Sequence, residues 1–386
     1  MIQINSKLPN QAVTIFSTMT ALANRLHAIN LAQGFPDFAP PAALTEALCQ
    51  ASLAGQHQYS PGDGLLSLRE NIAEQVLQRN TLIIDPITEI TIASGATIAL
   101  YCAIQACIHS GDEVIIFDPS YDSYAPSVTL AGGRPIHIAL QAPDFSVDWQ
   151  QLSDLIGPRT RMIIVNTPHN PTGTVWQKED WQQLIALIED KNIVVLSDEV
   201  YEHLVFDQAV HYSALDFPEL RERSFVVGSF GKSFHVTGWK TGYCIAAPQL
   251  MTLFRQVYQF ASFCGVTPIQ YALDQFMRQH PEHLSGLSDF YQQKRDQFLA
   301  GIANTPFVAT ATQGTFFQTV DYSALRPDLD DLSMCHYLAE QYKVVAIPIS
   351  VFYKNPPSDA RQIRFCFAKQ AETLDLACQR LRQCQT

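Results

Sequence analysis

Ser229-Phe230-Gly231-Lys232-Ser233-Phe234-His235-Val236-Thr237-Gly238-Trp239-Lys240 follows the apolar run Phe225-Val226-Val227-Gly228, and this junction sets the reading of the whole chain. The run reads as a buried strand, so Lys232 stands just past its carboxyl end, where α/β folds bind ligands in the crevice outside the sheet. Small neighbours leave room for a bound group beside the amine. A lysine so placed suits a Schiff base. An amine of pKa about 10.4 is only about 0.04% neutral at pH 7, so the site must desolvate Lys232 or set other cations near it. Lys240 is a candidate for such a cation. A lone lysine after a strand is more often an ordinary loop residue, and its companions elsewhere in the chain decide between the two readings.

Working outward, residues 89–94, 113–118, 135–140, 161–167, 192–198, 223–229 and 243–247 read as strands alternating with helical patterns. Runs such as Met162-Ile163-Ile164-Val165 and Ile193-Val194-Val195-Leu196 are apolar at consecutive positions. Strands of that kind are buried on both faces, which predicts an α/β fold with a mostly parallel, seven-stranded sheet covered by helices. Beyond about residue 285 the rhythm changes to a long helix, short strands near 313–317, 344–349 and 362–367, and a last helix, the pattern of a smaller α+β unit. The first 40 or so residues read as irregular and Pro/Gly-punctuated, an arm that packs on a neighbour or on the small unit. The expected division is therefore 1–45 for the arm and part of the small domain, 46–284 for the large domain and 285–386 for the small domain.

A chain of 386 residues favours two packed units over one core. A formal net charge of −12 argues against nucleic acid or an anionic membrane as partner, since both need a clustered basic excess. No apolar run reaches the length of a membrane span, and the start of the chain lacks the basic-then-apolar order of a secretory signal. Nine scattered cysteines without a C-x-x-C pair suit a reduced, cytoplasmic protein. His280-Pro281-Glu282-His283, the only close histidine pair, lacks the neighbours of a metal site and reads as a solvated turn.

Several segments supply Lys232 with companions. Ser94-Gly95-Ala96-Thr97 closes a strand and opens a helix, so free amides and the positive end of the helix dipole lie at the sheet's carboxyl edge, where a phosphate binds. In Asn166-Thr167-Pro168-His169-Asn170-Pro171-Thr172-Gly173 a rigid loop aims Asn170, although the same residues also make an ordinary turn. Ser197-Asp198-Glu199-Val200-Tyr201 ends another apolar run, and a buried Asp198 needs a cationic or hydrogen-bonding partner. A protonated pyridine nitrogen meets that need. At about 4 Å and an effective dielectric of about 20, a carboxylate stabilises a cation by roughly 4 kcal/mol, about three pKa units. Such a ring withdraws electrons from a substrate carbanion, the chemical point of pyridoxal phosphate.

Tyr201 is placed to bond the ring's phenolic oxygen together with Asn170, and Tyr121 to stack on the ring, though tyrosines at strand ends are also common core residues. Arg364, in Ile363-Arg364-Phe365-Cys366-Phe367, suits either a substrate α-carboxylate or a structural salt bridge.

Together with Asn30-Leu31-Ala32-Gln33-Gly34-Phe35-Pro36-Asp37-Phe38, these motifs resemble, in order and spacing, the class I/II, fold-type I, pyridoxal-phosphate-dependent aminotransferases over essentially the whole chain. Within that family the likeness is greatest to the bacterial methionine aminotransferases and the kynurenine aminotransferase/glutamine transaminase K group. The resemblance implies that Lys232 carries pyridoxal 5'-phosphate and shuttles the substrate proton, that Asp198 pairs with the ring nitrogen, and that Asn170 and Tyr201 hold the phenolic oxygen. It assigns the phosphate to the Ala96 and Thr97 amides, Ser229 and Lys240, the ring face to Tyr121, and the substrate carboxylate to Arg364, Asn170 and the Gly34 backbone. Tyr59 matches a tyrosine that reaches the phosphate of the other subunit, implying a homodimer with a shared active site. Phe16, Tyr59 and Phe263 are implied to line an apolar pocket for sulfur-containing or aromatic side chains of the amino acid and 2-oxo acid substrates.

Two positions depart from common members: Lys240 stands where many carry arginine, and Cys264 where the kynurenine group often carries histidine. Two rivals share the scaffold, a C–S lyase that expels a sulfur leaving group and a ligand-sensing regulator, the latter needing a DNA-binding unit for which the chain offers little room.

Overall fold

A computed structural model describes residues 5–8 and 14–385. Its strands in chain order are β1 (Ile29–Asn30), β2 (Ile90–Ala93), β3 (Glu113–Asp118), β4 (Arg134–Ala139), β5 (Thr160–Asn166), β6 (Val194–Asp198), β7 (Ser224–Ser229), β8 (Gly242–Ala246), β9 (Phe317–Asp321), β10 (Val344–Val345), β11 (Ile347–Pro348) and β12 (Gln362–Cys366). The seven segments from 89 to 247 expected as strands are β2 to β8, each within two residues of its predicted ends. They form one sheet in the order β2-β8-β7-β6-β5-β3-β4, with β8 antiparallel to both neighbours and the other pairs parallel.

Alternation along β3 shows why these runs are apolar throughout. Val114 and Ile116 enter the core beneath the helices Ala96–Cys107 and Pro248–Ala261, while Ile115 and Phe117 enter the core shared with Leu66–Asn80, Lys178–Ile188 and Thr267–Gln279. Both faces are dry, as a doubly covered parallel sheet requires.

A third core belongs to the antiparallel sheet β11-β12-β9, packed with the helices Leu287–Ile302 and Ala371–Leu381. Here the structure corrects the reading of the first 40 residues as irregular. Ile15–Leu26 is a helix whose Met19, Leu22 and Ala23 are buried in this third core, and Thr14 caps it by accepting from the Ser17 amide. The Thr- and Ser-rich first turn masked a spacing that is helical, because those residues favour loops as readily as caps. β1 then pairs in parallel with β10. Residues 1–4 and 9–13 of the expected arm lie outside the described residues.

Two further expectations are corrected. The strand expected near 313–317 begins only at Phe317, as β9: residues 313–316 bend, with Thr315 at φ of 69°, and Gly314 makes only an isolated antiparallel bridge with Val205. Nor is the His280–His283 segment merely solvated. His283 Nε2 donates to the Ser233 carbonyl at 2.8 Å and its ring stacks on Phe234, so it supports the turn that carries Lys232.

Candidate active site

Parallel pairing brings the functional ends of the strands together. Asn166 lies opposite Asp198, Asp198 opposite Val227, and Ser229 opposite Gly242, so the three motifs that end β5, β6 and β7 open onto one edge. Antiparallel β8 sets Gly242 also against Ala93, drawing in the Ser94–Thr97 turn. A cavity of about 240 Å³ results. Phe16, Gly34, Ala96, Thr97, Tyr121, Asn170, Asp198, Tyr201, Ser229, Lys232, Lys240 and Arg364 all line it. Tyr59 and Phe263 do not; they pack edge to face on each other at 5.1 Å outside it.

Lys232 sits in the short helix Phe230–Ser233, its Nζ 5.4 Å from the Tyr201 ring and 5.1 Å from the Phe316 ring, with the Gly34 carbonyl accepting at 3.5 Å. Burial among aromatic rings pushes its pKa down to about 8, and Arg364 and Lys240 add to the effect. Both routes to a less basic amine inferred from the sequence, desolvation and nearby cations, are therefore present.

Asp198 is buried, and burial raises its carboxyl to about 6 against the pull of the Tyr124 hydroxyl, which donates at 2.6 Å, and of the Val200 amide at 3.3 Å. Among the described residues no cation pairs with it. Tyr124 was not anticipated; only its place three residues after Tyr121, on the same side of the following turn, hinted at it. Asn166, where the expected strand 161–167 meets the loop, has two tasks: its Oδ1 accepts from the Asn170 amide at 2.9 Å, and its Nδ2 donates to the Asp198 carbonyl at 2.8 Å.

Arg364 is 1% exposed and also has no acidic partner among the described residues, which answers the choice between a salt bridge and a free fork. It donates to Asn170 Oδ1 at 2.6 Å and to the Ala32 carbonyl at 3.1 Å, and its Nε is left without a partner. The guanidinium carbon lies 3.7 Å from the Phe317 ring centroid and 5.1 Å from that of Phe352. Burial lowers its pKa to about 10, so the group stays charged at neutral pH.

These features fit pyridoxal phosphate. A buried carboxylate without a cation suits a pyridinium nitrogen, and the helix Ala96–Cys107 starts without a side-chain cap, leaving its first amides free for a phosphate. Gly95, at φ of 91°, admits the Lys240 side chain, whose Nζ would lie 3.5 Å from a Cβ at that position. Thr97 Oγ1 and the Tyr121 hydroxyl stand 3.4 Å apart at the same helix start.

Behind the site Glu199, Glu202 and His211 converge closely enough to hold a metal ion. Their oxygens are already committed. Glu199 accepts from Ser197 Oγ at 2.7 Å and the Ala214 amide at 3.0 Å and faces His211 Nε2 at 2.9 Å, while Glu202 pairs with Arg79 at 2.6 Å and accepts from the Tyr243 hydroxyl. This is an internal ion-pair network.

Fold and cavity define a pyridoxal-phosphate-dependent enzyme of fold type I. The chain belongs to the aminotransferase class I and II family, whose model matches residues 27–381, and it is an aminotransferase. It is 48% identical over 378 residues to the methionine aminotransferase of Escherichia coli K12, covering 98% of this chain and 97% of that protein. It is 32% identical to mouse kynurenine–oxoglutarate transaminase 1, covering 94% and 93%. The crystal structure of Escherichia coli YbdL, for which a methionine aminotransferase function is identified, superposes with a TM-score of 0.97 at 47% identity, covering 99% of this chain and all of that one.

Proposed function

We propose that this aminotransferase takes the α-amino group from methionine, and from aromatic amino acids, glutamine or kynurenine, and passes it to a 2-oxo acid in a ping-pong cycle. The observation that carries this reading is the unpaired Arg364 guanidinium on its aromatic floor. A buried fork with free donor capacity awaits a carboxylate, and Phe16, Tyr121 and Phe317 leave an apolar surround for the rest of the substrate. Arg364 is the only arginine lining this cavity among the described residues, which favours donors with one carboxylate. The name of the Escherichia coli relative narrows the donor to methionine first.

Bound pyridoxal phosphate supplies an aldehyde that takes up amino groups and a ring that draws electrons from the substrate α-carbon. Lys232 would hold it and would move the proton at the substrate Cα. Asp198 keeps the ring nitrogen protonated, while Asn170 and Tyr201 hold the phenolic oxygen. Tyr121 stacks on the ring. The Ala96 and Thr97 amides, Ser229 and Lys240 hold the phosphate, and Arg364, Asn170 and the Gly34 backbone orient the substrate carboxylate.

The working unit is a homodimer in which Tyr59 and Phe263 serve the partner's site. Tyr59 is 81% exposed and Phe260 91%, and with Phe263 they form an uncovered aromatic surface in a single subunit. The domain division at 45 and 284 is retained, with Ile15–Leu26 counted in the small domain. A cytoplasmic location accords with nine cysteines that form no disulfide. None of the described helices is long and apolar enough to cross a membrane.

The test is the visible absorption of the purified enzyme as methionine, kynurenine, phenylalanine and glutamate are added singly without acceptor. Methionine should bleach the yellow band at the lowest concentration. A response to glutamate alone would defeat the donor assignment, and release of pyruvate and ammonia from a sulfur amino acid would establish the lyase instead.

A further inference from the structure

The loop Gly34–Phe38 enters the substrate site at Gly34 and is anchored at its far end, away from the cavity. At its start, a Cβ on Gly34 would lie 2.5 Å from the Phe317 ring, so the backbone rests directly on that ring. Phe317 in turn carries the Arg364 guanidinium at 3.7 Å. The Gly34 backbone, Phe317 and Arg364 are thus one stack, and their spacing sets the recess in which a carboxylate would lie.

The far end of the loop is fastened 333 residues away. Asp37 Oδ1 accepts from the Gln370 amide at 2.5 Å, and Asp37 Oδ2 accepts from Thr373 Oγ1 at 2.7 Å. The Gln370 side chain donates back to the Asp37 carbonyl at 2.9 Å. Gln370 is the N-cap of the helix Ala371–Leu381 and supplies no side-chain cap of its own. Asp37 therefore caps this helix in trans, with its charge at the positive end of the dipole. Beside it, buried Lys369 donates to the Phe35 carbonyl at 2.7 Å.

Lys369 and Gln370 follow β12 after only two intervening residues, and β12 carries Arg364. The connections close a ring: Gly34, Phe317, Arg364, β12, Gln370, Asp37 and back to Gly34. We propose that Asp37 is a positioning residue that holds the Gly34 backbone and Arg364 at the spacing a substrate carboxylate requires. It acts on binding of both substrates more than on proton transfer, because Asp198 ends β6 and Lys232 follows β7 in the large domain, and Lys232 meets this ring only through a long contact of 3.5 Å with the Gly34 carbonyl. The inference rests on the reading of Arg364 and Gly34 as the carboxylate site.

The experiment compares holoenzymes carrying Asp37→Ala, Asp37→Asn and Thr373→Val with wild type, using the donor and acceptor that wild type turns over best. Loss of the cap should raise KM for both substrates about tenfold with kcat within about twofold. Asp37→Asn keeps an oxygen for the Gln370 amide and should return KM to within about threefold of wild type. Thr373→Val removes one bond only and should give the same KM-selective change at smaller size, which keeps the test usable if Asp37→Ala folds poorly.

An unchanged KM in Asp37→Ala and Thr373→Val, a fall in kcat at constant KM, or an Asn variant as poor as Ala would overturn the proposal. Arg364→Ala separates it from the reading beneath it: if that variant binds substrates normally, the carboxylate site is wrong, and if it alone raises KM, only the role of Asp37 falls.

Discussion

The Tyr124 hydroxyl donates to Asp198 Oδ2 at 2.6 Å, across 74 residues of chain, and is the nearest donor to a buried carboxylate that no protein cation neutralises among the described residues. The bond favours the ionised form that a pyridinium nitrogen needs. Tyr124→Phe should therefore raise the Asp198 pKa further above its present value of about 6. The sign sets the pH window: a higher pKa depletes carboxylate from the acid side. Cofactor affinity should weaken about tenfold near pH 6 and much less near pH 8.5, the size of one hydrogen bond to a charged group. A cofactor titration at the two pH values checks this; equal losses at both would show that Tyr124 does not tune Asp198.

The depressed pKa of Lys232 predicts its reactivity. Acylation of Lys232 in the cofactor-free protein, followed by mass spectrometry, should rise with pH through a midpoint near 8, where an ordinary exposed lysine rises near 10.4. A midpoint above 10 would contradict the burial argument. Because the folded pKa lies below the unfolded one, the buried ammonium destabilises the fold below about pH 8, and that effect disappears above about pH 10.4. Cofactor-free Lys232→Met should thus be at least as stable as wild type at pH 7 while being inactive and holding no cofactor covalently after borohydride reduction.

Removing the guanidinium of Arg364 should raise KM for amino and oxo acids alike by about a hundredfold, as expected for loss of a desolvated bidentate partner. Arg364→Lys should recover little of this, since an ammonium cannot reproduce the fork. Steady-state kinetics with both substrates decide it, and a KM within twofold of wild type in Arg364→Ala would take this residue out of the site.

Glu202 predicts an acid limit to stability. Burial alone would raise its pKa, but Arg79, His203 and Tyr243 outweigh that and hold it at about 2. With the folded value below the unfolded one, its contribution is complete above about pH 4.5 and is lost as pH falls toward 2. Arg79→Met should destabilise the protein by about 2 kcal/mol at pH 7, discounted for a partly exposed arginine, and by less at pH 3. Urea unfolding at both values tests the difference, and a pH-independent loss would point to packing instead.

Where the reading of the chain succeeded, the information was local. β3 was legible to the residue because Glu113–Asp118 is flanked by a turn and by Pro119 and is apolar on both faces. Arg364 was recognisable as a charged residue on an apolar strand, yet its freedom from any carboxylate became visible only when its surroundings did. The helix Ile15–Leu26 carries the right spacing at Met19, Leu22 and Ala23, but its Ser/Thr-rich first turn competes as a loop until the third core claims its apolar side. Thr315 is not a strand residue because its backbone turns to φ of 69°, so that beside the isolated bridge of Gly314 to Val205 regular pairing starts only at Phe317.

The sequence by itself determined that a doubly covered sheet would form, that Lys232, Asp198, Asn170 and the Ser94–Thr97 turn would stand at strand ends, and that one family chemistry unites them. The first two follow from short-range pattern, because apolar runs and the turns ending them are decided within a few residues, and the third follows from the resemblance of those motifs, in order and spacing, to a known family. Tertiary structure alone decided that β8 runs antiparallel, that Tyr124 meets Asp198, that Arg364 stays unpaired above Phe317, and that Asp37 caps a helix 333 residues away. Such contacts arise when the chain closes on itself and buried polar groups must find partners wherever the packing has placed them.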